Sequence, residues 1–144
     1  MFIGKFEHNI DEKNRITFPV KFREQLIDGA FIIRGFDNNL VVLPSARFMA
    51  LAEKVNSLSF GDTEARKLQH FLFENAGEIE FDKNGRFILP LNLRQFAKLE
   101  NEAVVVGAGQ KIEIWSPDLL KEHDACFDEP NAAAELASKY DLSF

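Results

Sequence analysis

Residues 4–26, GKFEHNIDEKNRITFPVKFREQL, and residues 75–97, NAGEIEFDKNGRFILPLNLRQFA, are one segment written twice. Aligned without a gap, Glu7, Asp11, Arg15, Pro19 and Arg23 meet Glu78, Asp82, Arg86, Pro90 and Arg94, each 71 residues later. Apolar positions follow: Ile10 with Phe81, Ile16 with Phe87, Phe18 with Leu89, and Phe22 with Leu93. Downstream, AFIIRGFDNNLVVLPS (30–45) and AVVVGAGQKIEIWS (103–116) are each two β-branched runs around a Gly- or Asn-bearing turn. They close on Ser45 and Ser116, again 71 apart. Self-similarity at a fixed period marks a repeated supersecondary unit. A unit of about 45 residues with four short strands cannot bury its own core well. The duplication therefore predicts one pseudo-symmetric domain built from both copies.

Within each copy the elements are legible. Residues 5–10 and 15–18 are short apolar runs joined by Asp-Glu-Lys-Asn, and 77–81 and 86–89 are joined by Asp-Lys-Asn-Gly. Asn-Gly between strands is a strong hairpin signal, because both residues tolerate the positive φ of a tight turn. Asn14 stands where the second copy has Gly85, and Asn is the next most tolerant residue there. Pro19 and Pro90 fit the first turn of short helices over 19–26 and 90–97, where a missing N–H costs nothing. Hairpins over 30–43 and 103–115 follow. Each copy then closes on a helix with its Ser as N-cap; the first places Phe48, Leu51, Val55 and Leu58 on one face. In the second, Pro117 sits just after the Ser116 cap. Asp62 caps a helix carrying Ala65, Leu68, Leu72 and Ala76, and the Ala-rich stretch 131–140 is one further, partly exposed helix. The chain divides into a first repeat (5–47), a helical connector (48–75), a second repeat (76–119) and an acidic C-terminal helical segment (120–144).

The net charge of −6 argues at first sight against a nucleic-acid partner, but its distribution removes that objection. Residues 117–144 carry seven acidic side chains against two lysines, so five of the six excess negative charges lie there and the body is nearly neutral. Such asymmetry leaves room for a local basic face. No apolar stretch approaches the roughly 18 residues of a membrane span, and the first residues lack the apolar core and cleavage site of a signal peptide. The single cysteine, Cys126, cannot form an internal disulfide and fits a reducing compartment. A cytoplasmic location is expected.

The sharpest local feature is Asp11-x-x-x-Arg15, repeated as Asp82-x-x-x-Arg86. A carboxylate at the first turn position accepts hydrogen bonds from turn N–H groups. The Arg across the turn can fold back on it in a bidentate pair. That makes a purely structural turn. The functional alternative makes each turn a probe, with Lys13, Arg15, Lys83 and Arg86 crowding two related tips. Such tips suit phosphates, with Arg available for a guanine edge in a groove. Spacing alone leaves both open, and they are compatible, since an Asp that aims an Arg serves both. Arg23 and Arg94, on the neighbouring short helices, contribute phosphate contacts or simply face solvent.

Enzyme signatures are poor. His123 and Cys126 have nothing to orient the His or lower the thiol pKa. His8, His70 and His123 share no metal-ligand spacing, so no metal site is expected. Gly107-Ala-Gly109 lacks the third glycine and the following helix of a dinucleotide loop and is read as a hairpin turn. No catalytic residues, cofactor or small-molecule substrate are expected. A small hydrolase built on Asp82 lacks any pocket-forming constellation.

The opening MFIGKFEHNIDEKNRITFPVKFREQL and the later DKNGRFILPLNLRQFA together resemble the MraZ family of bacterial regulators associated with the division and cell-wall gene cluster. The likeness covers nearly the whole chain and includes the doubled Asp-x-x-x-Arg, each with Pro four residues on. It implies an α+β fold of the AbrB/SpoVT swapped-hairpin class, two repeats making one pseudo-symmetric β-barrel with peripheral helices. It further implies a ring-shaped homo-oligomer that binds direct repeats of double-stranded promoter DNA, including that of its own gene, at the nucleoid. Family contacts map onto Lys13, Asn14, Arg15, Lys83, Asn84 and Arg86 as DNA-binding residues, with Asp11 and Asp82 positioning the turns. The first turn departs from the family's usual Gly before the Arg, having Asn14, and it adds Glu12. The competing class is an oligomeric protein-interaction module, antitoxin-like or scaffold, whose hairpins grip a protein. Steep salt dependence separates DNA binding from an apolar interface.

Overall fold

The computed structural model describes all 144 residues. The first copy comprises β1 (Phe2–Asn9), β2 (Arg15–Thr17), α1 (Val20–Gln25), β3 (Ala30–Arg34), β4 (Leu40–Pro44) and α2 (Ser45–Asn56). After a connector helix α3 (Thr63–Phe73) the order returns as β5 (Gly77–Ile79), β6 (Arg86–Ile88), α4 (Leu91–Phe96), β7 (Glu102–Gly109), β8 (Ile112–Trp115) and α5 (Pro117–Asp124). A 3-10 turn (Ala125–Asp128) and α6 (Ala132–Lys139) end the chain.

The leading strands do not form the expected hairpins with themselves. β1 runs antiparallel to β7 over eight residues, from Phe2 opposite Gly109 to Asn9 opposite Glu102. Its counterpart β5 pairs with β3, Ala30 facing Ile79, and β2 pairs with β6. Each copy thus hands its leading strands to the other, while β3–β4 and β7–β8 are hairpins within a copy. The turn signal dictates that the chain reverses, and it leaves the partner open. A three-residue strand gains too little from local pairing alone. Pairing across the copies also joins apolar residues of both into one core.

The larger sheet has the order β1-β7-β8-β4-β3-β5, with β2-β6 as a separate ribbon. Exchanging the copies reverses that order onto itself. The pseudo-twofold therefore passes through the β4–β8 ladder and through the ribbon at Ile16, which faces Phe87. The ladder is open from β1 to β5, and no pairing closes it into the barrel expected from the family likeness.

One cluster of 20 buried residues joins the inner face of the sheet (Ile32, Val42, Val105, Ile114) to the ribbon (Ile16, Phe87) and to Phe22 and Leu93 on α1 and α4. Burial of such side chains contributes about 1.5–3 kcal/mol each, so the ribbon is anchored from beneath by both copies. On the outer face, Phe48, Val55 and Leu72 of α2 and α3 cover Ile33 and Val41, and Leu120 of α5 covers Val104 and Trp115.

Several local expectations need correction. Ser45 is not an N-cap but the first helical residue after Pro44; its N–H bonds the Gly29 carbonyl at 3.0 Å. Ser116 holds the cap position with Pro117 next, yet its hydroxyl makes no capping bond. Asp62 does cap α3, accepting from the Glu64 N–H at 2.9 Å. Leu58 lies beyond the end of α2 and is exposed. Gly107 lies inside β7 rather than at a turn: a Cβ there would come within 2.5 Å of the Ile3 backbone nitrogen, so glycine lets β1 approach.

Candidate nucleic-acid interface

Each Asp-x-x-x-Arg segment closes the same way. Asn14 N–H bonds the Asp11 carbonyl at 3.0 Å, and Asp11 N–H bonds the Arg15 carbonyl at 3.1 Å. The equivalents, Gly85 to Asp82 and Asp82 to Arg86, are 3.0 and 2.8 Å. The fourth residue of each turn is left-handed, Asn14 at φ 59° and Gly85 at φ 77°. This is the conformation for which Gly and Asn are the tolerant choices.

The carboxylates fill both halves of the role anticipated for them. Asp11 Oδ1 accepts from the N–H groups of Lys13 (2.9 Å) and Arg15 (2.8 Å), while Oδ2 takes the Arg15 Nε at 2.7 Å. Asp82 repeats this with Asn84 (2.9 Å), Arg86 N–H (3.0 Å) and Arg86 Nε (2.9 Å). Partial desolvation pushes the Asp11 carboxyl up, but the bonds from the Arg15 N–H, the Arg15 guanidinium and the Lys13 N–H outweigh it and hold it below the usual range. At Asp82 the Arg86 N–H dominates, and the result is again downward. The ion pair is not the bidentate one expected. Only Nε is engaged, so the Nη1–Nη2 fork of Arg15 and of Arg86 makes no bond within the protein. A single charged contact fixes the stem of the guanidinium and leaves its recognition edge free.

The two turns flank the β2–β6 ribbon, and each is braced by the opposite copy. Leu89 N–H bonds the Asn14 carbonyl at 2.7 Å, and Phe18 N–H bonds the Gly85 carbonyl at 3.2 Å. Arg23 and Arg94 serve this bracing, and both are half-buried rather than on a fully solvated helix face. Arg23 Nε donates to the Phe18 carbonyl at 3.0 Å, and its guanidinium lies where a Cβ on Gly85 would sit. Arg94 donates to the Asn14 side-chain oxygen and to the Glu100 carbonyl. Sequence reasoning missed this because the turn each Arg supports, Gly85 for Arg23 and Asn14 for Arg94, lies in the other copy.

At the surface, the side chains of Lys13, Lys83 and Asn84 are exposed and make no ion pair or side-chain hydrogen bond. Asn14 is the exception among the anticipated contact residues, since its side-chain oxygen is taken by Arg94 beneath the turn. Strand alternation puts Ile16 and Phe87 into the core and turns Arg15, Thr17, Arg86 and Ile88 outward. Thr17 and Ile88 escape a reading of the sequence alone; the outward position two residues from each Arg is the signal that finds them. Elsewhere, no group of three or more His, Cys, Asp or Glu could hold a metal ion, and no helix is long and apolar enough to cross a membrane. Cys126 is exposed, its Sγ 3.8 Å from the His123 carbonyl oxygen.

Comparison of the sequence with known proteins matches it to a family. The family model described as "MraZ protein, putative antitoxin-like" matches twice, over residues 1–71 and 72–137. A protein of Herpetosiphon aurantiacus named Transcriptional regulator MraZ is 41% identical over 143 residues, covering 99% of this chain and 100% of its own. Proteins of the same name from Desulforamulus reducens (95% of this chain, 92% of theirs) and Thermomicrobium roseum (82% and 83%) are each 45% identical.

Proposed function

The chain belongs to the MraZ family, and we propose that it is a transcription regulator that binds specific double-stranded DNA through its two Asp-x-x-x-Arg turns. The observation that carries this is the pair of free guanidinium forks. Asp11 and Asp82 hold Arg15 and Arg86 by Nε alone and leave two Nη donors on each without a partner in the chain. An Arg fork is the side chain that pairs bidentately with guanine O6 and N7, and a two-stranded ribbon fits the major groove. Lys13 and Lys83, unpaired at the tips, supply phosphate contacts, with Asn84 beside them; Asn14 contributes through the turn it shapes. The swapped pairing of the leading strands supports assignment to the AbrB/SpoVT swapped-hairpin class.

One protomer offers few contacts and binds weakly. A homo-oligomeric ring presenting several ribbons gains by avidity on direct repeats, and the spacing of the promoter boxes then matters as much as their sequence. The promoter of its own division and cell-wall gene cluster is the expected target, in the cytoplasm at the nucleoid. The acidic segment 120–144, whose Leu120 packs on the outer face of the sheet, limits non-specific binding.

The test measures affinity for DNA upstream of the chain's own gene, across a salt series, for the wild type and for Arg15→Ala and Arg86→Ala. Each loss removes one bidentate contact and lowers affinity by roughly 5- to 150-fold, equivalent to about 1–3 kcal/mol. Variants that bind as the parent does sink the assignment of the turns. A parent with no sequence preference, or with a flat salt response, sinks the DNA reading in favour of a protein partner.

A further inference from the structure

The outer face of the ribbon is not symmetric, and its asymmetry has a chemical direction. The register places Arg15 beside Ile88 and Thr17 beside Arg86. The pseudo-twofold that exchanges Arg15 with Arg86 also exchanges Thr17 with Ile88, 71 residues apart. The ribbon therefore presents two clusters with the same cation and different companions: Arg with Ile, and Arg with Thr. Cross-strand neighbours on one face stand about 5 Å apart at Cβ, so each companion shares a base step with its Arg. Ile88 is 70% exposed at the end of β6, with a buried Phe87 before it and a buried Leu89 after it. Nothing in the chain covers it. Thr17 is half-buried, and its hydroxyl makes no hydrogen bond within the chain.

We propose that Ile88 and Thr17 are specificity determinants of the DNA site: Ile88 contacts a thymine 5-methyl group beside the Arg15 contact, and Thr17 makes the second half of the box tolerant. The inference rests on the DNA-binding reading above. In the major groove only the T·A pair presents a methyl group, and an aliphatic side chain is its complement. The Thr hydroxyl both donates and accepts, so it fits either kind of base edge without selecting strongly. A ribbon with two equal clusters would read an inverted repeat with equal halves. This one reads a box with a thymine-demanding half and a permissive half, and so gives the box a direction. A directional box lets successive protomers of an assembly bind head to tail along the duplex.

The experiment uses the full-length chain and a duplex recovered by the wild type from a randomised pool. Each thymine is then replaced in turn by deoxyuridine, which removes only the 5-methyl group. Wild type loses about fourfold at one thymine on one side of the box, the worth of one methyl group removed from water. Ile88→Thr discriminates the thymine from the uridine duplex less than the wild type does, and Thr17→Ile acquires a stronger methyl preference on the other side. The double variant Thr17→Ile/Ile88→Thr moves the preference from one side to the other. Unchanged methyl discrimination in all three variants overturns the assignment of Ile88 and Thr17. If this happens while Arg15→Ala and Arg86→Ala still lose the box, the DNA reading stands and only this inference falls. A wild type that recovers no preferred duplex removes both.

Discussion

The two turns have the same hydrogen bonds and different residues, and the difference lies beneath the surface as much as on it. Reading from the Asp, the first is Asp-Glu-Lys-Asn-Arg (11–15) and the second Asp-Lys-Asn-Gly-Arg (82–86). Under the first, Arg94 reaches up and donates to the Asn14 side chain. Under the second, Arg23 lies flat against Gly85, which is buried. Two solutions satisfy one backbone: a side chain that is gripped, or no side chain and a guanidinium in its place. A tandem duplication allows this because each turn rests on the other copy's helix, so each position and its brace can diverge together.

The comparison breaks most visibly at Gly85. A Cβ there would lie 2.4 Å from Arg23 Cζ and Nε, on a residue whose φ is 77°. Gly85→Ala therefore combines left-handed strain of about 1–2 kcal/mol with overpacking of about 1–3 kcal/mol. Denaturant unfolding of the full chain should show a loss of about 2–5 kcal/mol at the sum of those ranges. Asn14→Gly, the reciprocal change, trades one hydrogen bond for relief of φ strain and should stay within about 1 kcal/mol of the wild type. Adding Arg23→Ala to Gly85→Ala should recover the overpacking part and leave the φ part. If Gly85→Ala is as mild as Asn14→Gly, Arg23 does not brace the second turn.

A smaller effect follows from the carboxylates. Both Asp11 and Asp82 sit below their ordinary value of 3.8, so each favours the folded state while ionised. That contribution is fully present above the unfolded value and is lost as pH falls through the lower folded value. The melting temperature should thus drop along an acid limb that begins near 3.8 and continues downward. Asp11→Asn and Asp82→Asn should each flatten the limb while lowering stability at neutral pH. Acid limbs that match the wild type in both variants would mean that other carboxyls govern acid unfolding.

Much of this is legible in the residues. The repeat, the turns, the short helices and the inward side of each strand are all written in local pattern, and the Asp-to-Arg contact follows from spacing within one turn. The strand partners are not legible. An Asn-Gly turn between two apolar runs reads the same whether those runs pair with each other or with another copy. The role of Arg94 is hidden for the same reason, since its Asn14 partner is 80 residues away. Ser45 misleads because a serine after Pro44 resembles a cap, while Pro44 itself holds the extended entry to α2. Ile88 escapes notice because an apolar residue in an apolar run looks like core until the register turns it outward.

The smallest effect separates the tips. Glu12 occupies the place of Lys83, and both are exposed. Neither makes an ion pair, so Glu12→Lys should leave the melting temperature unchanged. Its consequence is felt only by a polyanion. Replacing an anion with a cation at one tip adds about one phosphate contact, steepening the slope of log affinity against log salt by about 0.9. The gain should be a few-fold at low salt and fade as the screening length falls below about 8 Å at physiological ionic strength. Lys83→Glu should do the reverse by a similar amount. If Glu12→Lys changes nothing at low salt while Lys83→Glu weakens binding, only the second turn approaches the phosphates. Symmetry of fold would then coexist with asymmetry of use. Equal and opposite responses would instead mean that both tips ride the same backbone, with Glu12 weakening one of them.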